Sequence, residues 1–181
     1  SASEAAVFEA IRGVEAQVAE IGFRLATANA MLCDQHEPSL GLLLHSPEQY
    51  AADTRSAAIA YFRFDGPLGV EAVVPHSPAA AADIKVNDSV IGVEQLRFRP
   101  ADIQTNASTD AILMASRQIM AFPADVPLTL HIRRGGVDEQ RTVTPVSACR
   151  TRFEALISDS FLAQADGDLV QISSRFLADY P

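Results

Sequence analysis

Four histidines, two cysteines and a scatter of Asp, Glu and Ser are the residues of this chain able to do chemistry, and their spacing withholds most of it. His36-Glu37 is the one His-Glu pair, but the position where a zinc-binding helix carries its second histidine is Leu40. Pro38 would also break such a helix. His45, His76 and His131 stand apart, and no Cys-x-x-Cys occurs. Ser46 follows His45 and Ser77 follows His76, yet no Gly-x-Ser-x-Gly presents a nucleophile. Asp166-Gly167-Asp168 lacks the further oxygens of a calcium loop and reads as a turn, and Arg133-Arg134 reads as a solvated hairpin tip. The expectation is no catalytic residue, no metal and no cofactor, in a chain that is proteolytically inert by itself. Cys33 and Cys149 read either as two buried thiols or as a pair closing a long loop, worth about 4–5 kcal/mol.

The bulk properties exclude further classes. The chain has 181 residues, 48 % of them hydrophobic and 20 % charged, which predicts a folded core without a metal staple. Fourteen basic against 23 acidic residues leave a net charge of −9, so nucleic acid and anionic membrane surfaces are poor partners. No apolar run reaches the roughly 18 residues of a membrane span.

Several elements follow from periodicity. Val7, Ile11, Val14, Val18, Ile21, Leu25, Ala28 and Leu32 form one stripe on a predicted helix from Ala5 to Leu32. This helix packs on its own domain or pairs as a coiled coil, and Gly13 and Gly22 weaken it by about 1 kcal/mol each. Leu40 to His45 is a predicted strand, Glu48 to Phe62 a helix, Val70 to Val74 and Ser89 to Val93 strands, and Thr109 to Met120 a helix. Ser77 caps a short helix that Pro78 begins. Pro127 to Ile132 and Arg141 to Pro145 form a hairpin about Gly135-Gly136, and Phe161 to Ala165 and Leu169 to Ser173 form two more strands about Gly167.

Within this frame, the run from Val70 through Pro75, Ser77-Pro78, Asp83-Ile84 and Asn87-Asp88 to Ile91 resembles the core of bacterial PDZ domains. Asp83 and Asn87 stand where that family has glycine; both residue types tolerate a left-handed backbone, so the fold expectation holds. The resemblance implies an α+β fold, a small partly open β-barrel or sandwich capped by helices, here with an N-terminal amphipathic helix and a C-terminal strand extension. It also implies a peptide added as a strand to an open sheet edge, its terminal carboxylate held by a loop of x-Φ-G-Φ pattern. Ser39-Leu40-Gly41-Leu42 matches that loop, Leu42, Leu43 and Leu44 would accept the peptide, and Ile112, Ala115 and Ile119 would line the facing wall. Glycine suits position 41 because a side chain would obstruct the incoming carboxylate.

Residues Cys149 to Leu177 carry a second resemblance. Arg152-Phe153-Glu154, Leu162-Ala163-Gln164-Ala165-Asp166-Gly167 and Val170-Gln171-Ile172-Ser173 are similar to the opening strands of zinc metallopeptidases of the CAAX-prenyl-protease type, with Leu162 in place of the usual Asn. That resemblance implies a Cys33–Cys149 disulfide, and the disulfide in turn a periplasmic or otherwise extracytoplasmic protein; a signal-peptide-processed form is one of two readings of the start at Ser1. The segments expected are 1–36, a helical segment; 37–147, a PDZ-like domain; and 148–181, an extension resembling the start of a peptidase domain. The expected partners are protein C-termini or extended peptides, with room for a homodimer. The rival expectations are a structural or dimerising protein whose groove is self-occupied, and an inert peptidase fragment lacking its zinc helix.

Overall fold

The computed structural model describes residues 2–99 and 106–180, so the outer bounds of the expected segments, Ser1 and Pro181, lie outside the described residues. In chain order the elements are α1 (Ala2–Ala28), β1 (His36–Ser39), β2 (Leu42–His45), α2 (Arg55–Phe62), β3 (Leu68–Val73), α3 (Pro78–Ala81), β4 (Ser89–Val93), β5 (Leu96–Arg97) and α4 (Asp110–Met120). They continue as β6 (Leu128–Arg134), β7 (Val137–Val143), β8 (Val146–Cys149), β9 (Arg152–Leu156), β10 (Ala163–Asp166), β11 (Leu169–Ser173) and α5 (Ser174–Asp179). The main sheet is antiparallel and open, ordered β2-β3-β4-β6-β7 with β5 added to β4. Leu68, Val70, Val90, Val93, Leu130 and Ile132 fill its inner face, and Ala79, Ile84, Ala115 and Ile119 close over them from α3, the following turn and α4. This arrangement, with a Ser-Pro helix behind β2 and α4 beside it, is PDZ-like. A smaller sheet, β10-β11-β9, and the β1-β8 pair complete the chain.

The local signals worked where side chains dictate backbone. Ser77 accepts a hydrogen bond from the Ala80 N–H at 3.2 Å and caps α3. Asp83 and Asn87 adopt φ of 57° and 69°, the left-handed conformation expected of residues standing where glycine is usual. Gly135 and Gly136, both at positive φ, turn β6 into β7.

Other expectations are corrected. The helix predicted to Leu32 ends at Ala28, and a 3-10 turn at Ala30–Leu32 follows. The predicted stripe holds in its middle, where Val18 is buried with Val14 and Ile21 packed beside it, but at the ends the buried line runs through Phe8, Gly22 and Ala26 and leaves Val7, Leu25 and Leu32 exposed. The stripe turns because α1 packs on three patches in succession: the aromatic cluster of Tyr50, Phe62 and Phe64, then Ile172 and Phe153 of the small sheet, then Ala148 and Cys149 of β8. Gly22 proves structural rather than merely weakening, since a Cβ there would lie 2.6 Å from the Phe153 ring. The helix expected over Glu48 to Phe62 is reduced to a 3-10 turn at Pro47–Gln49 and α2. The strand expected over Leu40 to His45 begins at Leu42 as β2, and Leu40-Gly41 form the turn that leads into it from β1.

Arg134 is not a solvated tip residue. Its guanidinium donates to both oxygens of Asp88, each at 2.7 Å, and Asp88 is almost wholly buried while also accepting from the Lys85 N–H. This pins the Asn87-Asp88 turn to the β6–β7 hairpin.

Candidate peptide-binding cleft

The site grows from the break between β1 and β2. β1 is held antiparallel on β8, Ser39 opposite Val146, and the chain then turns through Leu40 and Gly41 into β2. Both carbonyls of the turn face backwards into the Ser-Pro unit. The Ala79 N–H donates to the Leu40 carbonyl at 2.9 Å and the Val74 N–H to the Gly41 carbonyl at 2.8 Å. The Ser77 hydroxyl donates to the same Gly41 carbonyl at 3.2 Å. Among the described residues, by contrast, no hydrogen bond within the protein takes up the N–H of Leu40 or Gly41. The peptide plane that joins Leu40 to Gly41 has its carbonyl tied back and so turns the Gly41 N–H to the other side, where it is a free donor, the chemistry that receives an anionic oxygen.

Gly41 has a steric reason to be glycine besides the one read from sequence. Its φ is +71°, and a Cβ would lie 2.2 Å from the Ser77 Cβ. The nearest obstruction is Ser77 of the Ser-Pro helix, and the Phe23 ring of α1 follows at 3.1 Å.

β2 pairs only with β3 among the described residues, so its other edge carries unpaired backbone groups. Across from that edge stands α4, and the two enclose a cleft of about 290 Å³. Ser39, Leu40, Gly41, Leu42, Leu43 and Leu44 line one side, as the sequence predicted, and Ile112 and Ile119 line the other. Ala115 does not. It is buried in the main core beneath α4, because its place on the helix turns it inward between Ile112 and Ile119. Ser116 and Met120 were missed and line the wall instead, together with Ala19, Gly22, Phe23 and Ala26 of α1 and Thr151 and Phe153 beyond the loop. Helical spacing marks which residues share a face, but not which edge of that face is the cleft. No signal in the sequence brings α1 to this place.

Ser77 thus serves α3 and the loop together. Ser77→Ala should cost about 1–2 kcal/mol of stability, a lost N-cap plus a weakened Gly41 carbonyl, read as a shift in the urea midpoint. Unchanged stability would mean that the loop is held by Val74 and Ala79 alone.

Cys33 and Cys149 are linked in the structure, their Cα atoms 5.6 Å apart, and the bond fastens the end of α1 beside the cleft. No cluster of His, Cys, Asp or Glu among the described residues is arranged to hold a metal ion. No described helix is long and apolar enough to cross a membrane.

The far end of β2 enters a buried ionisable group under α1. His45 is fully buried, its Nδ1 2.9 Å from the Tyr50 hydroxyl. Burial, helped by Arg12, depresses its pKa from 6.5 to about 3, so it is neutral and its 3.8 Å approach to Glu71 is not an ion pair. Glu71, buried beside Glu15 of α1, is pushed up from 4.5 to about 9, mainly by burial and then by that second carboxyl. Two facing carboxyls away from water share a proton more easily than they bear two charges.

A pH profile follows. Between 3 and 6.5 the unfolded chain holds the His45 proton more tightly, so that group favours unfolding at acid pH and its penalty vanishes by 6.5. Between 4.5 and 9 the folded chain holds the Glu71 proton more tightly, so that stability is lost as pH rises through this window. From neutral pH upward the unfolding free energy should fall by up to about 1.4 kcal/mol per pH unit, and Glu71→Gln should flatten that limb in urea melts. An unchanged alkaline slope in the variant would refute the assignment.

No family model matches the chain, and no curated protein matches it. Among solved structures it is similar to the serine endoprotease from Yersinia pestis, at 17 % identity and a TM-score of 0.38, over 62 % of this chain and 29 % of that one. It is similar to the HtrA3 PDZ domain bound to a phage-derived ligand (FGRWV), at 17 % identity and a TM-score of 0.42, over 62 % of this chain and 89 % of that one. The HtrA-type protease AlgW with a decapeptide matches at 16 % identity and a TM-score of 0.42, over 62 % of this chain and 30 % of that one. The match thus spans under a third of each of the two protease chains and most of the HtrA3 PDZ domain chain.

Proposed function

We propose that this chain is a peptide receptor that holds a protein C-terminus or an extended segment as an added strand on β2. The observation that carries the reading is the free β2 edge facing α4, ending at a loop whose carbonyls are tied back while the Leu40 and Gly41 N–H groups are unused. A ligand backbone would pair with Leu42, Leu43 and Leu44, its carboxylate would accept from Leu40 and Gly41, and its last side chain would enter the apolar space between Leu42 and Ile112, Ile119 and Met120. None of the described residues outside β3 pairs with β2, which weighs against another strand of the chain filling that edge; α1 walls the cleft without pairing with it.

The setting belongs to the proposal as well. Residues 37–147 form the receptor, 1–36 strap it, and 148–181 extend it toward a protease, as the resemblance of the last segment to CAAX-type metallopeptidases implies. The module would regulate that enzyme or present substrates to it. A disulfide persists in oxidising compartments, which supports a periplasmic or other extracytoplasmic location.

The test is a titration of C-terminal peptide libraries against the whole chain, with each binder repeated as its C-terminal amide. Free-acid binders of micromolar affinity should weaken about tenfold or more on amidation, as the loop loses its anion. A library with no ligand tighter than millimolar would refute the receptor reading.

A further inference from the structure

Among the described residues that line the cleft, one side chain ionises: Glu37. The other described lining residues are apolar or neutral, and Ser39, Ser116 and Thr151 carry the side-chain hydroxyls among them. Glu37 sits on β1 opposite Ala148, in the strand pair next to the Cys33–Cys149 bond, so its backbone is fixed on the loop side of the cleft. Its carboxylate has no hydrogen bond and no ion pair among the described residues. Arg150, the neighbouring cation, acts on it only through space. The group is half-buried, and that burial raises its pKa above the ordinary carboxylate range while Arg150 pulls it back. A carboxylate in an apolar cleft has lost hydration without gaining a partner, so a ligand cation arriving there restores what desolvation removed. The chain's net charge of −9 favours the approach of such a ligand.

We infer that Glu37 sets specificity in this cleft by selecting ligands with a Lys or Arg side chain among the residues bound nearest the Leu40-Gly41 loop. The inference rests on the peptide-receptor reading of the same cleft and adds the charge of the ligand to it. The carboxylate makes no bond that maintains the fold, so Glu37→Gln removes the charge while keeping shape and hydrogen-bonding reach.

The probes are fluorescent pentapeptides with a free C-terminal carboxylate, carrying Lys or its uncharged isostere norleucine in turn at each of the last three positions. They are titrated at pH 8, where Glu37 is more fully ionised, against the native chain and Glu37→Gln. At one position Lys should bind the native chain about tenfold more tightly than norleucine, and the preference should fall to about twofold or less in the variant and in high salt. Equal binding of Lys and norleucine peptides by the native chain would overturn the inference while leaving the receptor reading intact. So would a Lys preference that survives in Glu37→Gln. If no peptide of either set binds the native chain, the receptor reading fails and takes this inference with it.

Discussion

Reducing the Cys33–Cys149 bond, or replacing both cysteines by serine, should lower the unfolding free energy by about 4–5 kcal/mol. The two residues are 116 apart in sequence, so the bond closes most of the chain into one loop and removes a large share of the unfolded chain's freedom. For a chain of this length the loss corresponds to a drop of about 10–20 °C in Tm. Urea and thermal melts with and without reductant, at fixed pH, measure it. A change below about 1 kcal/mol would show that the unfolded chain is already held compact near these residues. The bond also ends at the cleft, and the Ala26–Ala148 contact beside it packs α1 against β8. The reduced protein should therefore lose order first along the Ala19–Ala26 wall, seen as faster amide exchange there than in β4 and β6.

Gly41→Ala should be the most damaging single substitution at the loop. The left-handed backbone at +71° costs a non-glycine residue about 1–2 kcal/mol, and the added methyl meets the Ser77 Cβ at 2.2 Å. Neither partner yields easily, because Ser77 is held by its cap to Ala80 and its bond to the Gly41 carbonyl. With about 1–3 kcal/mol for overpacking, the total is about 2–5 kcal/mol. The displaced loop should also weaken peptide binding by tenfold or more, since donors about 1 Å out of place lose most of an oriented anion contact. Gly41→Asn discriminates between the two causes. Asparagine tolerates the left-handed region but carries the same Cβ, so it should be nearly as harmful as alanine. A well-tolerated asparagine would mean that backbone strain, not the collision with Ser77, makes glycine necessary.

Several features were legible because they are decided within a few residues. Ser77-Pro78 encodes its own cap, Gly135-Gly136 its own turn, and Asp83 and Asn87 their own left-handed backbones. The x-Φ-G-Φ loop could be located because it stands upstream of the Ser-Pro unit that braces it. Elsewhere the local reading failed. Pro38 argues against a strand, yet β1 forms because β8 supplies the ladder. Residues Glu48 to Thr54 have helical composition, but after the 3-10 turn the chain leaves the helix, and the Arg55 guanidinium donates to the carbonyls of Pro47 and Tyr50.

The sequence by itself determined most of the main sheet's strands, but not β5 or the first half of β7, together with the capped turn behind the loop and the position of Gly41. Each depends on propensities and steric limits that act over a few bonds. Only the tertiary structure decided that α1 lies across three separate patches and walls the cleft, that Ala115 faces inward, and that Glu71 is buried while Glu37 looks into the groove. Those outcomes follow from which surfaces exclude water from one another. That is settled by contacts between segments more than a hundred residues apart in the chain, such as Cys33 and Cys149, and leaves no mark in local spacing.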